Sequence, residues 1–240
     1  MDPTKRLYWS DEQRLESNAI VIGVHADGLA LNQTCFYPGG GGQPADNGTI
    51  TIGDYSVAVL NVEASDKGCC GTMCAVAPQP GWLGQIVHLR VEPVRRAAFS
   101  RYHTILHVLN TIALRDYGAW ITGAQIGVDY SRIDFKWDGF SPAICGEVEQ
   151  KVNTELVANR HITAYLLDVE QFSRRPDLLR TLEVKPPVID GHVRVVEIEG
   201  FDAQACGGTH VSGTRELGRF SITRTENKGR INKRLYVRLT

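Results

Sequence analysis

Two short clusters about a hundred residues apart constrain this chain more than any other feature: His103-Thr104-Ile105-Leu106-His107 and Cys206-Gly207-Gly208-Thr209-His210. Residues four apart on a helix lie one turn above each other, so His103 and His107 can face one point. Cys206 and His210 enclose a Gly-Gly pair, which lets the backbone turn tightly and expose its N–H groups. Three imidazole nitrogens and one thiolate form a tetrahedral set suited to zinc. A fold that uses both clusters must therefore close a helix against a glycine loop. The competing reading is a buried cysteine beside a glycine turn, with His210 hydrogen-bonded to backbone. If all four residues ligate, the site is closed, as structural zinc sites are. Catalysis requires a position left for water or for a substrate group.

The rest of the chain divides by pattern. Up to Val91 it reads as short strands between glycine turns: Ile20–Val24, Leu29–Leu31 after an Asp27-Gly28 turn, Thr49–Ile52, Tyr55–Leu60 and Ile86–Val91. Such a run suggests a small barrel or sandwich. The stretch from about Asp66 to Gly84, rich in Gly, Pro and Cys, reads as a linker, with Cys69, Cys70 and Cys74 as free thiols in a loop. At Glu92-Pro93 the character changes, because proline suits the first position of a helix. The helical pattern continues to Tyr117, with Gly118 as terminator. On its wheel Ala98, Tyr102, Ile105, Leu109, Ile112 and Ala113 form an apolar stripe. Ser100, Thr104, Thr111 and Arg115 form a polar stripe roughly opposite, with the two histidines on a third strip. Further helices are expected at about Ala143–Arg160 and Glu170–Leu182. Strands are expected at Ile126–Phe135, His161–Asp168, His192–Ile198, Arg219–Thr225 and Arg234–Leu239. Without a regular β-α-β alternation, this mixture predicts an α+β fold.

The segment Phe36-Tyr37-Pro38-Gly39-Gly40-Gly41-Gly42-Gln43-Pro44 leads two aromatics into four glycines. Either it is a flexible connector, or it is a defined turn whose bare backbone admits a bulky ligand at Gly40, Gly41, Gly42 and Gln43. It is no P-loop, since Gln43-Pro44 replaces the Lys-Ser or Lys-Thr ending. Near the C-terminus Arg219, Arg224, Lys228, Arg230, Lys233, Arg234 and Arg238 fall within twenty residues against the single acid Glu226. Asn227-Lys228-Gly229-Arg230 reads as a hairpin tip. Such a cluster is either a solvated edge or a set of phosphate contacts for a nucleic acid, with Lys228, Arg230, Lys233 and Arg234 as candidates. The chain as a whole, at formal net charge −1, is not a basic nucleic-acid coat. No apolar run approaches the ~20 residues of a membrane span. The cysteine spacing is not that of a secreted disulfide scaffold, and a cytoplasmic protein with reduced thiols is expected. Asp134 and Asp202 are candidates for acid–base work, for capping a turn or for pairing with an arginine.

Taken together, these segments resemble the alanyl-tRNA editing family, which comprises the editing domain of alanyl-tRNA synthetase and its free-standing relatives, called AlaX. Phe36–Gly48 is similar to the family's FYP-x-GGGQ-x-x-D-x-G segment, His103–His107 to its HxxxH, and Gln204–Val211 to its QACGGTHV stretch. The glycine segment without an aminoacylation domain resembles the medium-length type. The resemblance implies a β-barrel-like domain over residues 1–91 and a zinc-binding α+β editing domain over 92–240. It implies zinc on His103, His107, Cys206 and His210. It also implies hydrolysis of the serine ester, with glycine as a second candidate, wrongly attached to the alanine tRNA. Gln125, in a Gly123–Gly127 segment resembling one that lines the family's pocket, and Thr209 are then candidates for recognising the serine hydroxyl. Gly207 and Gly208 are candidates for backbone stabilisation of an oxyanion. Leu106 departs from the threonine common in the synthetase versions and agrees better with free-standing members. Two rival readings are a zinc-stabilised RNA-binding module without chemistry, and a metallohydrolase for small esters.

Overall fold

The computed structural model describes residues 3–65, 68–181 and 185–240, which form two compact units. The first comprises residues up to Gly40 together with Pro44–Ala97, and the second comprises Gly41–Gln43 together with Ala98–Thr240.

In the first unit the strands are β1 (Lys5–Arg6), β2 (Glu16–Val24), β3 (Gly28–Leu31), β4 (Gln33–Thr34), β5 (Gly48–Ile52), β6 (Tyr55–Ala64), β7 (Cys70–Cys74) and β8 (Ile86–Val91). Six of them close an antiparallel barrel in the order β2-β3-β7-β6-β5-β8, with β8 pairing back onto β2. Alternation explains the closure: along β8, Val87, Leu89 and Val91 point inward while Ile86, His88 and Arg90 point out. Ala19, Val21, Leu29, Leu31, Ile50, Ile52, Val57, Val59 and Val62 complete the interior. The expected linker is corrected here. Cys70 and Cys74 lie on β7, inside the barrel wall, because Cys70, Thr72 and Cys74 alternate inward and behave as small buried residues. Asp66, where that linker was expected to begin, lies outside the described residues.

The glycine segment is tied at its base within this unit. Asp46 Oδ2 accepts from Tyr37 N at 2.6 Å, and Asp46 N donates to Tyr37 O at 3.0 Å. The same carboxylate is buried against the Arg96 guanidinium, which also donates to Cys35 O at 2.7 Å. The glycine run is thus a fastened turn: all four glycines have positive φ, between 58° and 122°.

The long helix α1 (Pro93–Tyr117) begins after Glu92, whose carboxylate accepts from Val94 N and Arg95 N, and it ends at Gly118 in the left-handed region. The second unit continues with β9 (Trp120–Gln125), β10 (Ser131–Lys136), α2 (Ile144–Val157), β11 (Ile162–Asp168), α3 (Val169–Ser173), β12 (Val188–Ile189), β13 (His192–Ile198), β14 (Asp202–Ala205), β15 (Phe220–Asn227) and β16 (Asn232–Leu239). One sheet has the order β15-β16-β10-β9; another pairs β11, β13 and β12, with β14 also on β13. α1 supplies Phe99, Tyr102, Ile105, Leu106, Val108, Leu109, Ile112 and Ala113 to the core of this unit.

Three expectations are corrected here. The helix over Glu170–Leu182 shrinks to Val169–Ser173, capped by Asp168, because Pro176 cannot continue an α-helix and starts a separate 3-10 turn, Pro176–Leu178. Leu182 lies outside the described residues. The strand over Ile126–Phe135 is instead a hairpin, with β9 ending at Gln125 and β10 starting at Ser131. Finally, Ser100, Thr104 and Thr111 of α1 are buried rather than solvated, and Arg115 alone of that stripe is exposed.

Candidate functional site

α1 and the loop after β14 bring His103, His107, Cys206 and His210 together, with one donor atom from each lying within 4.8 Å of all the others. Cys206 Sγ is 3.4 Å from His103 Nε2 and 3.4 Å from His210 Nε2. A tetrahedral zinc with ordinary Zn–N and Zn–S bonds would hold such an N···S edge at about 3.5 Å. The donor set and its spacing therefore fit a metal ion of this class.

Hydrogen bonds on the far side of two of the rings, His103 and His210, select the nitrogen each presents to the cluster. Gln43 Oε1 lies 2.7 Å from His103 Nδ1 and also accepts from Thr209 N, so His103 carries its proton on Nδ1 and presents Nε2. Thr104 Oγ1 donates to Ser100 O at 2.8 Å, which leaves its lone pair to accept from His210 Nδ1 at 3.1 Å. His210 likewise presents Nε2. These contacts explain the buried hydroxyls of α1, which face the site rather than water.

Charge states agree with ligation. Burial lowers His103 to about 4. Burial also holds His210 well below its ordinary value, helped by the charges of His103, His107 and Arg194. Both rings are thus neutral at pH 7, with lone pairs to give. For Cys206 burial favours the thiol, yet His107, Arg194 and the Gly208 N–H together bring its pKa below the ordinary thiol value, towards the thiolate that metals bind.

The loop is held from beneath by Arg194 on β13, a fully buried guanidinium that donates to Cys206 O at 3.0 Å and Gly208 O at 2.9 Å. Sequence reading missed this residue. Its only signal is an arginine at an inward position of an apolar strand, Val193-Arg194-Val195-Val196. Gln204 was not singled out either; it donates to Thr111 Oγ1 at 3.1 Å and fixes β14 against α1. A Cβ on Gly208 would fall 2.2 Å from the His103 ring, so only glycine fits there.

The other candidate residues divide. Gln43 is buried in the second unit, and besides its contact with His103 its Nε2 donates to Thr209 Oγ1 at 2.9 Å. Gly42 packs on β9, where a Cβ would meet Ala124 O at 2.6 Å, and its carbonyl accepts from Ile126 N. Gly41 has open space around it. Gly40 belongs to the first unit, where its carbonyl accepts from the Tyr37 hydroxyl. Thr209 is buried, with its hydroxyl between Gln43 and Ser100. The Gly208 N–H points to Cys206 Sγ at 3.4 Å, while Gly207 lies against Pro187. Gln125 lines a cavity of about 350 Å³ with Ile126, Tyr130, Arg132 and Tyr236, and its carbonyl accepts from Arg132 Nε. None of the four metal-ligand candidates lines that cavity.

At the C-terminal hairpin, Lys228 pairs with Glu226 and Arg230 is exposed. Lys233 donates to Asn227 Oδ1 and to the Gly229 and Arg230 carbonyls, which fastens the tip. Arg234 grips Asp134 with two bonds of 2.7 and 2.8 Å. Asp134 and Asp202 are therefore arginine partners, the latter of Arg180. His88 is exposed on the barrel, beside Asn18 and Glu16.

A three-histidine, one-cysteine cluster between a long helix and a glycine loop, in a chain with a β-barrel unit, is the arrangement that the resemblance to synthetase-type editing domains implies. Residues 193–236 match the family model of the threonyl and alanyl tRNA synthetase second additional domain, and residues 8–95 match that of class II (A) tRNA synthetases. The chain is 34% identical to the alanyl-tRNA editing protein AlaX-M of Methanosarcina acetivorans, over 98% of its own length and 99% of the relative's. It is 32% identical to the AlaX-M of Methanosarcina mazei, over 98% and 96%. It is also 37% identical to the alanine–tRNA ligase of Korarchaeum cryptofilum, over 92% of this chain but 25% of that enzyme. The chain belongs to the AlaX-M family of alanyl-tRNA editing proteins.

Proposed function

We propose that this chain is a trans-editing hydrolase that releases serine from mischarged Ser-tRNA(Ala), with zinc in the His103, His107, Cys206, His210 centre. The enzyme class, an aminoacyl-tRNA deacylase, goes with membership of the AlaX-M editing proteins. The observation that carries the zinc reading is the convergence of four ligand atoms within 4.8 Å, with the far nitrogens of two rings already engaged. Among the described residues no helix is long and apolar enough to cross a membrane, which is compatible with work on tRNA in the cytoplasm.

The chemistry asks for a second site. Serine exceeds alanine by one hydroxyl, and a small synthetic pocket rejects that addition poorly. A site that rewards the hydroxyl removes the error. Zinc bound here supplies Lewis acidity and a fixed positive charge beside the ester. Gln43 and Thr104 hold the imidazoles in the tautomer that binds metal, while Arg194 keeps the Cys206–Gly208 carbonyls turned away from the centre. Gly207 and Gly208 keep the approach clear of side chains, and Gly208 spends its N–H on the thiolate. Thr209 fixes the loop through Gln43 and Ser100. Gln125, its carbonyl engaged by Arg132, offers its NH2 to the serine hydroxyl. Gly41 and Gly42, in the same unit as the centre, offer bare backbone to the ester. Lys228 and Arg230, with Lys233 and Arg234 behind them, meet backbone phosphates.

The test is deacylation of Ser-tRNA(Ala), Gly-tRNA(Ala) and Ala-tRNA(Ala) by protein of known zinc content, before and after chelation. Loss of serine with alanine spared, abolished by chelation and restored by zinc, is the expected result. A folded, zinc-replete protein that releases neither, yet binds the tRNA, would establish the RNA-binding module instead.

A further inference from the structure

The sheet β15-β16-β10-β9 has an outer face of which the proposed function uses only Gln125 and Arg234. Cross-strand register sets one row across it: Gln125 on β9 faces Arg132 on β10, Arg132 faces Tyr236 on β16, and Tyr236 faces Arg224 on β15. The inward neighbours in β10 and β16, Ile133, Phe135, Leu235 and Val237, are buried in the core, which turns the row outward. Tyr236 and Arg132 thus occupy the two central strands of a four-stranded antiparallel sheet.

The row is aromatic and cationic together. The Arg224 guanidinium lies 4.0 Å over the Tyr236 ring, covering one of its faces. Tyr130, 52% exposed, stands with its ring centroid 6.2 Å from that of Tyr236. Tyr130, Tyr236, Arg132 and Gln125 line the same 350 Å³ cavity. The loop that carries Tyr130 is fastened: Asp129 O accepts from the buried Tyr102 hydroxyl at 2.6 Å, and Gly127 N donates to Ser131 Oγ. A tyrosine pair held this firmly, with Tyr130 exposed and Tyr236 half-buried, is pre-organised for a flat ligand rather than for water. Two carboxylates on the face are matched, Asp134 by Arg132 and Arg234, and Glu226 by Arg224 and Lys228, while Asp129 is exposed and also lines the cavity. Arg230 and Arg238 add exposed positive charge nearby.

Contacts within the unit link this cavity to the metal centre. Ile126, a lining residue, donates its N–H to Gly42 O at 2.8 Å, and the next residue, Gln43, holds His103. We propose that the Tyr236–Tyr130–Arg132 face is a stacking platform for an unpaired nucleobase of the tRNA 3′ end, next to the aminoacylated nucleotide. Aromatic rings on the central strands of an antiparallel sheet, backed by arginines, suit unstacked bases of a single strand and tolerate any base, because each offers a π face. A paired stem has no such face to give. The inference rests on the reading of the chain as a tRNA-editing enzyme, and it assigns a place to the strand that the metal centre does not hold.

The test uses an acceptor-stem hairpin with 2-aminopurine in its unpaired 3′ tail, whose fluorescence falls when the base stacks. Binding to the wild-type protein is expected to quench it. Tyr236→Ala should lose the quench and weaken binding about tenfold, the effect of removing one base–aromatic stack. Tyr236→Phe should keep both, since the ring and not the hydroxyl carries the contact. Tyr130→Ala, in an exposed loop, should act in the same direction, with metal content unchanged in each variant. Quenching by Tyr236→Ala equal to wild type, or salt-sensitive binding by wild type without any quench, overturns the platform. The two readings fail separately. Wild-type protein that quenches the tail but releases no amino acid sinks the deacylase and leaves the platform, and release of serine without quenching does the reverse.

Discussion

Replacing Gln43 with alanine tests how the glycine segment serves the metal centre. Gln43 is 2% exposed and makes three contacts: Oε1 to His103 Nδ1 at 2.7 Å and to Thr209 N at 3.2 Å, and Nε2 to Thr209 Oγ1 at 2.9 Å. Alanine leaves two donors, His103 Nδ1–H and Thr209 N–H, without their acceptor in a site from which water is excluded. Each orphaned buried donor costs ~1–3 kcal/mol, so the variant should lose about 2–6 kcal/mol. For a chain of this size that is on the order of 10 °C in melting temperature. The second effect is on the metal. An imidazole freed to rotate presents the wrong nitrogen part of the time, and loss of such an outer contact weakens metal binding by roughly 10–100-fold. Competition with a chromophoric chelator measures the affinity, and calorimetry measures the stability. Gln43→Glu keeps the acceptor and should recover most of the affinity, with Thr209 now donating its hydroxyl. If Gln43→Ala binds zinc within a factor of two of wild type and melts at the same temperature, the tautomer argument is wrong.

Gly208→Ala should be worse than its size suggests, since the added Cβ would sit 2.2 Å from the His103 ring; metal content after purification, expected well below one per chain, checks it. The metal-free protein should lose stability as pH falls from about 6.5 towards 4, because the unfolded chain takes up protons that buried His103 refuses until about pH 4. For His103 this amounts to about 3 kcal/mol across the window, read from denaturant midpoints of the chelated protein. Arg194→Met should release the Cys206–Gly208 loop by removing two donors to its carbonyls, cutting zinc affinity while leaving the barrel's own unfolding unchanged in hydrogen exchange. Lys228→Ala with Arg230→Ala should raise the KM for tRNA and flatten its salt dependence by about one unit of slope per phosphate lost, with zinc content intact. An unchanged slope would remove the hairpin from the phosphate contacts.

Much of the fold is written locally. Proline at the start of α1 and glycine at its end mark a helix whose bounds the structure reproduces, and alternation along β8 or β13 marks strands buried on one face or nearly throughout. Where local pattern failed, tertiary pairing had overruled it. Cys70–Cys74 looks like loop because glycine and cysteine carry little strand preference, yet β3 and β6 on either side supply the ladder that holds it. Trp120–Gln125 was hidden by its glycine and became a strand through its register with β10. Pro176, in contrast, was legible and should have ended the third helix.

The metal centre divides in the same way. The sequence by itself determined the four candidate ligands and the spacing that lets each pair face one point, because i, i+4 geometry and a Gly-Gly turn are local properties of the backbone. It could not determine that the pairs meet, nor which nitrogen His103 and His210 present. Those were decided by contacts between segments far apart in the chain: Gln43 with His103, Thr104 with His210, and Arg194 with the cysteine loop. The reason is physical. A lone imidazole has two nearly equivalent tautomers, and only a partner fixed by the rest of the fold makes one of them the lower in energy.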